Sequence, residues 1–198
     1  MDKYEFSKHR EIFSSIKEKV ESRSKDETVN KIVGEFLKSL EKLISEYPTS
    51  IWENRFAVGG ALEIIFCAFL RCLGFNCKRL NNEKRYDVEI NECKFSIKSN
   101  FSGSGEIRLI NTMGGDSEAK WGEPTIVFMG GKGIYYIDPC MELETKKKDD
   151  AITVNAGEVK SKVGKDYFIE IKIPKEEGEE GSAQKKECER DGSKGSFR

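Results

Sequence analysis

The segment RYDVEINECKFSIKSN, at 85–100, alternates apolar and polar side chains on both sides of a short polar break. A period of two is typical of a β-strand with one face against a core. A two-residue break between two such runs predicts a tight hairpin with its turn at 91–92. In that register Asp87 lies opposite Ser96, and Lys98 follows on the same face. The other face is apolar, so the hairpin is expected to be one wall of a hydrophobic core.

The balance of charge limits how this chain could meet nucleic acid. It has 198 residues, of which 37% are hydrophobic and 35% charged, and its formal net charge is −1. This length suits one medium-sized domain. Because the chain has no overall basic charge, any DNA contact is expected from local clusters. The basic residues near the hairpin are Lys78, Arg79, Lys84 and Arg85.

Few residues are available for histidine-based or zinc-based chemistry. The chain has one histidine, His9, and six cysteines, none of which form a C-x-x-C pair. A zinc site and a Ser-His-Asp triad are therefore not expected, and no P-loop spacing occurs. The charged N-terminus does not resemble a signal peptide, and the longest apolar run, 57–70, is too short to span a bilayer. We expect an intracellular protein with reduced cysteines.

The hydrophobic pattern predicts helices first and strands afterwards. Helices are predicted at 1–22, 27–46 and 52–73, and the third is apolar nearly all round, which is typical of a buried central helix. The predicted strands lie at 77–80, 85–90, 93–99, 106–111, 125–129, 134–137, 151–154 and 167–173. This order favours an α+β or mixed α/β fold in which helices flank a central mixed sheet.

The same pattern divides the chain into three parts. We expect an N-terminal helical region at 1–50, a core at 51–173 and a tail at 174–198. The tail is rich in Glu, Lys, Gly and Ser, and it is expected to be disordered. The run TKKKDD, at 145–150, is expected to be a solvated turn.

Glu63 is the unusual residue of the third predicted helix, because apolar side chains surround it in sequence. A buried carboxylate without a partner is unfavourable, so Glu63 should meet a cation, a polar group or water. Gly59 and Gly60, one turn earlier, leave room for another element to approach. One explanation is a structural ion pair with Arg55 or Arg71. The other is that Glu63 belongs to a functional site shared with the polar face of the hairpin.

The order of these polar residues carries a resemblance. Glu63 on a helix, then Asp87 on a strand, then Ser96-Ile97-Lys98 on the returning strand resembles the core of the PD-(D/E)xK nucleases, the fold of most type II restriction endonucleases. The resemblance covers about 55–114. It implies that Asp87 is a ligand of Mg²⁺, that Lys98 is catalytic, and that Glu63 joins the metal shell. The alternative is a wet sheet face with ordinary charge pairs.

The chain departs from the family pattern at two positions. Tyr86 stands where the family often has Pro, and Ser96 stands where an acidic residue is expected. Glu63 is the first candidate for the missing carboxylate. Glu106 is the second, and Glu89 could pair with Asp87 on one face. A rival register takes 92–94 as a literal Glu-x-Lys motif across the turn.

The resemblance also implies a substrate and partners. The substrate would be double-stranded DNA, cut by a homodimer of a prokaryotic restriction-modification system, with the N-terminal helices as dimerisation elements. The predicted DNA contacts are Ser99, Asn100, Arg108, Lys94 and Arg85, against the alternative that these are ordinary loop and surface residues. Two other functions stay open. One is a repair or junction-resolving nuclease, and the other is a non-catalytic nucleic-acid- or protein-binding module in which Ser96 marks lost metal binding.

Overall fold

A computed structural model describes residues 5–81, 83–111, 120–148 and 150–176. The helices are α1 (Ser7–Glu21), α2 (Glu27–Glu46), α3 (Asn54–Cys72) and α4 (Ala156–Lys162). The strands are β1 (Cys77–Arg79), β2 (Val88–Ile90), β3 (Cys93–Asn100), β4 (Glu106–Asn111), β5 (Thr125–Met129), β6 (Gly133–Ile137), β7 (Thr145–Lys148), β8 (Ala151–Asn155) and β9 (Phe168–Ile169). Among the helices in these ranges, none has the length and apolar character needed to cross a membrane.

The strands form two sheets. The larger has six strands in the order β1-β2-β3-β5-β6-β9, and the smaller has three in the order β4-β8-β7. In the large sheet β3 and β5 run parallel, while its other neighbouring strands are antiparallel. The predicted mixed α/β architecture with a central mixed sheet is therefore confirmed.

The large sheet is covered on both faces. Side chains of α1, α2 and α3 pack against one face in a single core that includes Phe36, Phe66 and Phe128. The small sheet and α4 cover the other face around Val127 and Met129. Every residue of β5 is buried, as expected for a strand in the middle of a sheet with both faces covered.

The hairpin has the predicted register. Ile90 pairs with Cys93, Glu89 with Lys94 and Val88 with Phe95. The two turn residues, Asn91 and Glu92, have φ angles of 46° and 69°, the left-handed backbone of a tight hairpin turn. This turn fixes which side chains of β2 and β3 reach the core and which reach the polar face.

Two chain segments cross closely where β3 and β5 end. A Cβ built on Gly130 would lie 2.0 Å from the carbonyl oxygen of Phe101, and one on Gly103 would lie 2.3 Å from the carbonyl oxygen of Gly130. Both distances are far below any real contact. Only glycine fits at these two positions.

Several predictions about individual elements need correction. The helix α3 is not buried all round, because Phe56 is 68% exposed and Ile64 is 56% exposed. The predicted solvated turn at 145–150 contains the strand β7, whose backbone pairs with β8. The short helix α4 was not predicted, and the last strand is limited to Phe168–Ile169.

The predicted tail begins within described structure. The backbone amide of Glu176 donates to the carbonyl of Phe101 at 3.1 Å, and its carboxylate accepts hydrogen bonds from Thr49. The chain is therefore held in place up to Glu176. The rest of the predicted tail, 177–198, lies outside the described residues, as do parts of the first predicted helix.

The turn supplies a prediction for stability. Replacing Glu92 by glycine should stabilise the protein by about 0.5–1 kcal/mol, because glycine adopts a positive φ without the steric cost of a side chain. The ion pair of Glu92 with Lys8, at 3.7 Å, joins side chains that are 84% and 61% exposed, so its loss should cost little. Urea unfolding of Glu92→Gly and of Glu92→Ala measures the two effects. Equal stability of the glycine variant and of the alanine variant, which keeps the Cβ, would show that the positive φ of residue 92 carries no steric cost.

Candidate active site

Asp87 is held at the entrance to the hairpin by both its backbone and its carboxylate. Its amide donates to the carbonyl of Phe95 at 2.9 Å, which continues the β2–β3 ladder beyond Val88. Its Oδ2 accepts hydrogen bonds from the Ser96 hydroxyl at 3.0 Å and from the Ile97 amide at 2.6 Å. These bonds to the neighbouring strand fix the orientation of the carboxylate.

Lys98 lies on the same polar face as Asp87. Its Nζ is 4.0 Å from Asp87 Oδ2, and the two side chains are 29% and 27% exposed. Ser96, between them, is only 4% exposed. The sequence prediction that these three residues share one face is matched by these contacts, and the ammonium group stays within reach of a molecule approaching from solvent.

Glu63 forms an ion pair, but with neither arginine suggested by the sequence. Its Oε2 lies 2.5 Å from Nε of Arg79, on β1. Arg55 instead donates to the carbonyl of Thr49, and Arg71 donates to the carbonyl of Cys77. The ion-pair partner of Glu63 is therefore Arg79, which lies on the outermost strand of the large sheet.

The electrostatics of Glu63 show that it belongs with the hairpin residues. Burial raises the pKa of Glu63, its hydrogen bond from Arg79 opposes that rise, the negative charge of Asp87 adds to it, and the positive charge of Lys98 opposes it. Charges affect a pKa in this way only at short range. The Glu63–Arg79 pair and the Asp87–Lys98 pair are together called the hairpin cluster: Glu63, Arg79, Asp87 and Lys98.

The other candidate carboxylates are engaged elsewhere. Glu106 lies 2.5 Å from Nζ of Lys148, and Glu89 lies 2.8 Å from Nζ of Lys78. Within the described ranges no three Asp, Glu, His or Cys side chains are grouped so that they could hold a metal ion. Any cation at this site would therefore depend on the two carboxylates of the hairpin cluster.

The rival Glu-x-Lys register does not form a site. Glu92 lies in the turn with its side chain 84% exposed and points to Lys8. Lys94 lies 2.6 Å from Glu83. Since the two ends of that motif face different partners, the register with Asp87 and Lys98 is the one that the fold brings together.

The side chains of the predicted DNA contacts differ in their exposure and in whether they already form ion pairs. Lys94 is paired with Glu83, and Arg108 lies 3.1 Å from Asp150 in an exposed pair. Ser99 is half-buried on β3, next to Lys98. Arg85 is 71% exposed and lies 3.5 Å from Glu123. The pairs of Lys94 and Arg108 are exposed, so they are weak and would be open to exchange with a phosphate. The partner of Arg85, in contrast, is a carboxylate that is only 5% exposed.

Asn100 is committed to the loop that follows β3. Its Nδ2 donates to the carbonyl of Ser104 at 2.8 Å, and its Oδ1 accepts from the Ser102 hydroxyl and the Gly103 amide. The residue is 8% exposed. Asn100 therefore shapes the glycine-rich loop beside Lys98, and these bonds do not suit the direct substrate contact that the sequence suggested.

Glu123 is an acidic residue near the site that the sequence analysis missed. Its side chain is 5% exposed, and its Oε2 accepts from the amide of Gly122 at 3.0 Å. It precedes Pro124, whose carbonyl accepts the amide of Ser96 at 2.9 Å. A glutamate two residues before a predicted, mostly apolar strand is the signal that could have identified it. Its contact with Arg85 ties that exposed arginine to the β5 end of the site.

Comparisons with known proteins give little further support. No protein-family model matches the chain, and no curated protein matches it. Among solved structures, one described as a restriction endonuclease in complex with substrate DNA matches with a TM-score of 0.48 at 15% identity, over 74% of this chain and 87% of the other. A TM-score below 0.5 does not establish a shared fold, so an assignment of function must rest on the side chains themselves.

The raised pKa of Glu63 predicts a particular dependence of stability on pH. A carboxyl group whose pKa is raised on folding favours the folded state while it is protonated, and this contribution is lost as the pH rises through the folded pKa. Glu63→Gln keeps a neutral side chain at every pH and can still accept from Arg79. The variant should therefore be more stable than the original protein at neutral pH, and this advantage should shrink as the pH falls below the folded pKa.

Thermal unfolding between pH 4 and pH 8 measures this effect. Glu35→Gln is the matched control, because Glu35 pairs with Lys38 on the exposed surface of α2. A neutral-pH loss of stability in Glu63→Gln would show that the Arg79 ion pair outweighs the burial and the repulsion from Asp87.

Proposed function

We propose that the protein is a Mg²⁺-dependent endonuclease that hydrolyses phosphodiester bonds in double-stranded DNA, at specific sequences, in the manner of a type II restriction enzyme. The observation that carries this proposal is the hairpin cluster, in which Lys98 lies 4.0 Å from Asp87 and the charges of both residues affect the pKa of Glu63. Two carboxylates and a partly exposed lysine are the groups that metal-assisted phosphodiester hydrolysis needs.

The donor set suits Mg²⁺. In proteins this ion is often bound by only one or two carboxylates, with substrate phosphate oxygens and water completing its octahedral shell. Burial, and to a smaller extent the negative charge of Asp87, raises the pKa of Glu63, and a divalent cation would relieve the repulsion between the two carboxylates. When bound, the ion would polarise the scissile phosphate and lower the pKa of a water molecule.

Each residue of the hairpin cluster has a distinct role in this proposal. Ser96 and Ile97 hold Oδ2 of Asp87, which orients the carboxylate for a cation. Lys98 donates to the phosphate oxygens on which negative charge develops. Arg79 neutralises Glu63 in the absence of substrate. Ser96 is thus a positioning residue and not a replacement for the acidic ligand of the family motif.

DNA cleavage tests the proposal most directly. Unmethylated phage DNA incubated with the protein should give discrete fragments in Mg²⁺ and none in EDTA. Lys98→Ala should lower the rate about 100-fold or more, because it removes the charge that stabilises the transition state. Lys38→Ala is the matched control, since Lys38 also pairs with a carboxylate at 3.0 Å but lies on α2.

The outcomes separate the alternatives. A Mg²⁺-dependent smear in place of fragments would favour a non-specific or repair nuclease. DNA binding without cleavage in any divalent metal would favour a non-catalytic module. Equal rates for Lys98→Ala and Lys38→Ala would remove Lys98 from the catalytic groups.

Metal binding can be measured without activity. Mg²⁺ should raise the midpoint of thermal unfolding of the original protein, because a ligand that binds only the folded state stabilises it by mass action. Asp87→Asn should abolish this increase while leaving the metal-free midpoint close to that of the original protein. An equal Mg²⁺ effect in both proteins would place the ion elsewhere.

Cutting both strands of DNA suggests a homodimer, and the exposed apolar side chains indicate where a second copy would bind. The large exposed hydrophobic side chains of the described residues lie between 47 and 64, and they are Tyr47, Ile51, Trp52, Phe56 and Ile64. The buried side chains of α1 and α2, in contrast, belong to the core of the chain itself. The start of α3 is therefore a better candidate for dimer contacts than the N-terminal helices.

A further inference from the structure

Two cysteines on different elements lie beside each other near the hairpin cluster. Sγ of Cys67, on α3, is 2.8 Å from Sγ of Cys77, the first residue of β1. The two residues are 4% and 1% exposed. Ten positions separate them, and the chain reverses between them at Gly74, whose φ is +94°. The turn brings β1 back against the helix that it has just left.

We propose that Cys67 and Cys77 are a reversible disulfide site that cross-links α3 to β1 when the protein meets a peroxide. Sulfur atoms in a disulfide are about 2.05 Å apart, so the present separation needs to close by less than about 1 Å. Rotation about the Cα–Cβ bonds of the two cysteines moves their Sγ atoms over distances of this size.

Disulfide formation consumes one molecule of hydrogen peroxide and proceeds in two steps. The Cys67 thiolate attacks one oxygen of hydrogen peroxide, which forms a sulfenic acid and, with a proton, releases water. Sγ of Cys77 then attacks the sulfur of Cys67, and the sulfenic oxygen leaves as a second water molecule. Two thiols are oxidised by two electrons, and one peroxide is reduced to two waters.

The surroundings favour Cys67 as the first to react. The hydrogen bond that it accepts from Cys77 and the nearby charge of Arg71 lower the pKa of the Cys67 thiol, although burial opposes this. The Arg71 side chain is fixed by its hydrogen bond to the carbonyl of Cys77 at 2.6 Å. The attacking thiol and its resolving partner are thus held in one place before oxidation.

The cross-link would restrict the movement of α3 relative to β1, the two elements that carry Glu63 and Arg79. Cys67 lies one helical turn after Glu63, and Cys77 lies two residues before Arg79, so the disulfide would form the rung next to the Glu63–Arg79 ion pair. The inference itself does not depend on nuclease activity, because it concerns a covalent bond and its effect on unfolding.

Peptide mapping of the full chain tests the proposal. The protein is treated with hydrogen peroxide or with dithiothreitol. It is then denatured in the presence of an alkylating agent, which blocks the free thiols, and digested with trypsin. Trypsin cuts after Arg71, so Cys67 and Cys77 fall on neighbouring peptides, and Cys72 shares the peptide of Cys77. In the Cys72→Ser variant a link between the two peptides therefore has one assignment. Cys72 is exposed, so its replacement should not disturb the fold.

We expect the linked peptides only after peroxide, and their loss after dithiothreitol. The oxidised protein should unfold about 5–10 °C higher than the reduced protein, because the cross-link restricts the unfolded chain. Alkylation of both cysteines after peroxide, or a sulfinic acid on Cys67 without a link, would overturn the proposal. A link of Cys67 to Cys93 or Cys140 would also overturn it.

Discussion

The hydrogen bonds from Ser96 and Ile97 to the carboxylate of Asp87 tie the start of one hairpin strand to the middle of the next. They form only in the register set by the turn at Asn91 and Glu92. A slip of one residue would turn Lys98 toward the core and Phe95 toward solvent. The geometry of the candidate site therefore depends on the same turn that determines which side chains of the hairpin reach the core.

The hairpin cluster is also a compromise between charge and burial. Glu63 is 17% exposed in its side chain, yet it lies near a second carboxylate. Arg79 and Lys98 offset part of this repulsion, and burial increases what remains. Such an arrangement is unfavourable for an isolated chain and useful where a cation and a phosphate are to be bound. Under the proposed function, stability and activity would place opposite demands on the same glutamate.

The hairpin was predictable from sequence because its determinants are local. Alternation over 85–100 and a two-residue polar break define both strands, their register and the shared face of Asp87, Ser96 and Lys98. The partner of Glu63 was not predictable in the same way. Arg79 lies 16 residues later, on a strand whose position depends on the turn at Gly74, whereas the sequence suggested Arg55 and Arg71, on or beside the same helix.

The strand β7 and the residue Glu123 show a second limit. A run of lysines has the composition of a solvated turn, but β7 gains its structure from backbone pairing with β8, which composition does not report. Glu123 becomes important only because the parallel pairing of β3 with β5 brings its neighbour Pro124 against Ser96. Parallel neighbours are distant in sequence, and their contacts need the whole sheet.

The close crossing of the chain at Gly103 and Gly130 limits which substitutions this protein can accept as its sequence diverges. Even the single methyl group of alanine would overlap a carbonyl oxygen at either position, and neither backbone can move away without displacing the ends of β3 and β5. The loop beside Lys98 and the hairpin between β5 and β6 can each vary in composition around these points. Neither glycine can be exchanged for a residue with a side chain, so divergence of the surrounding loops must leave this backbone crossing unchanged.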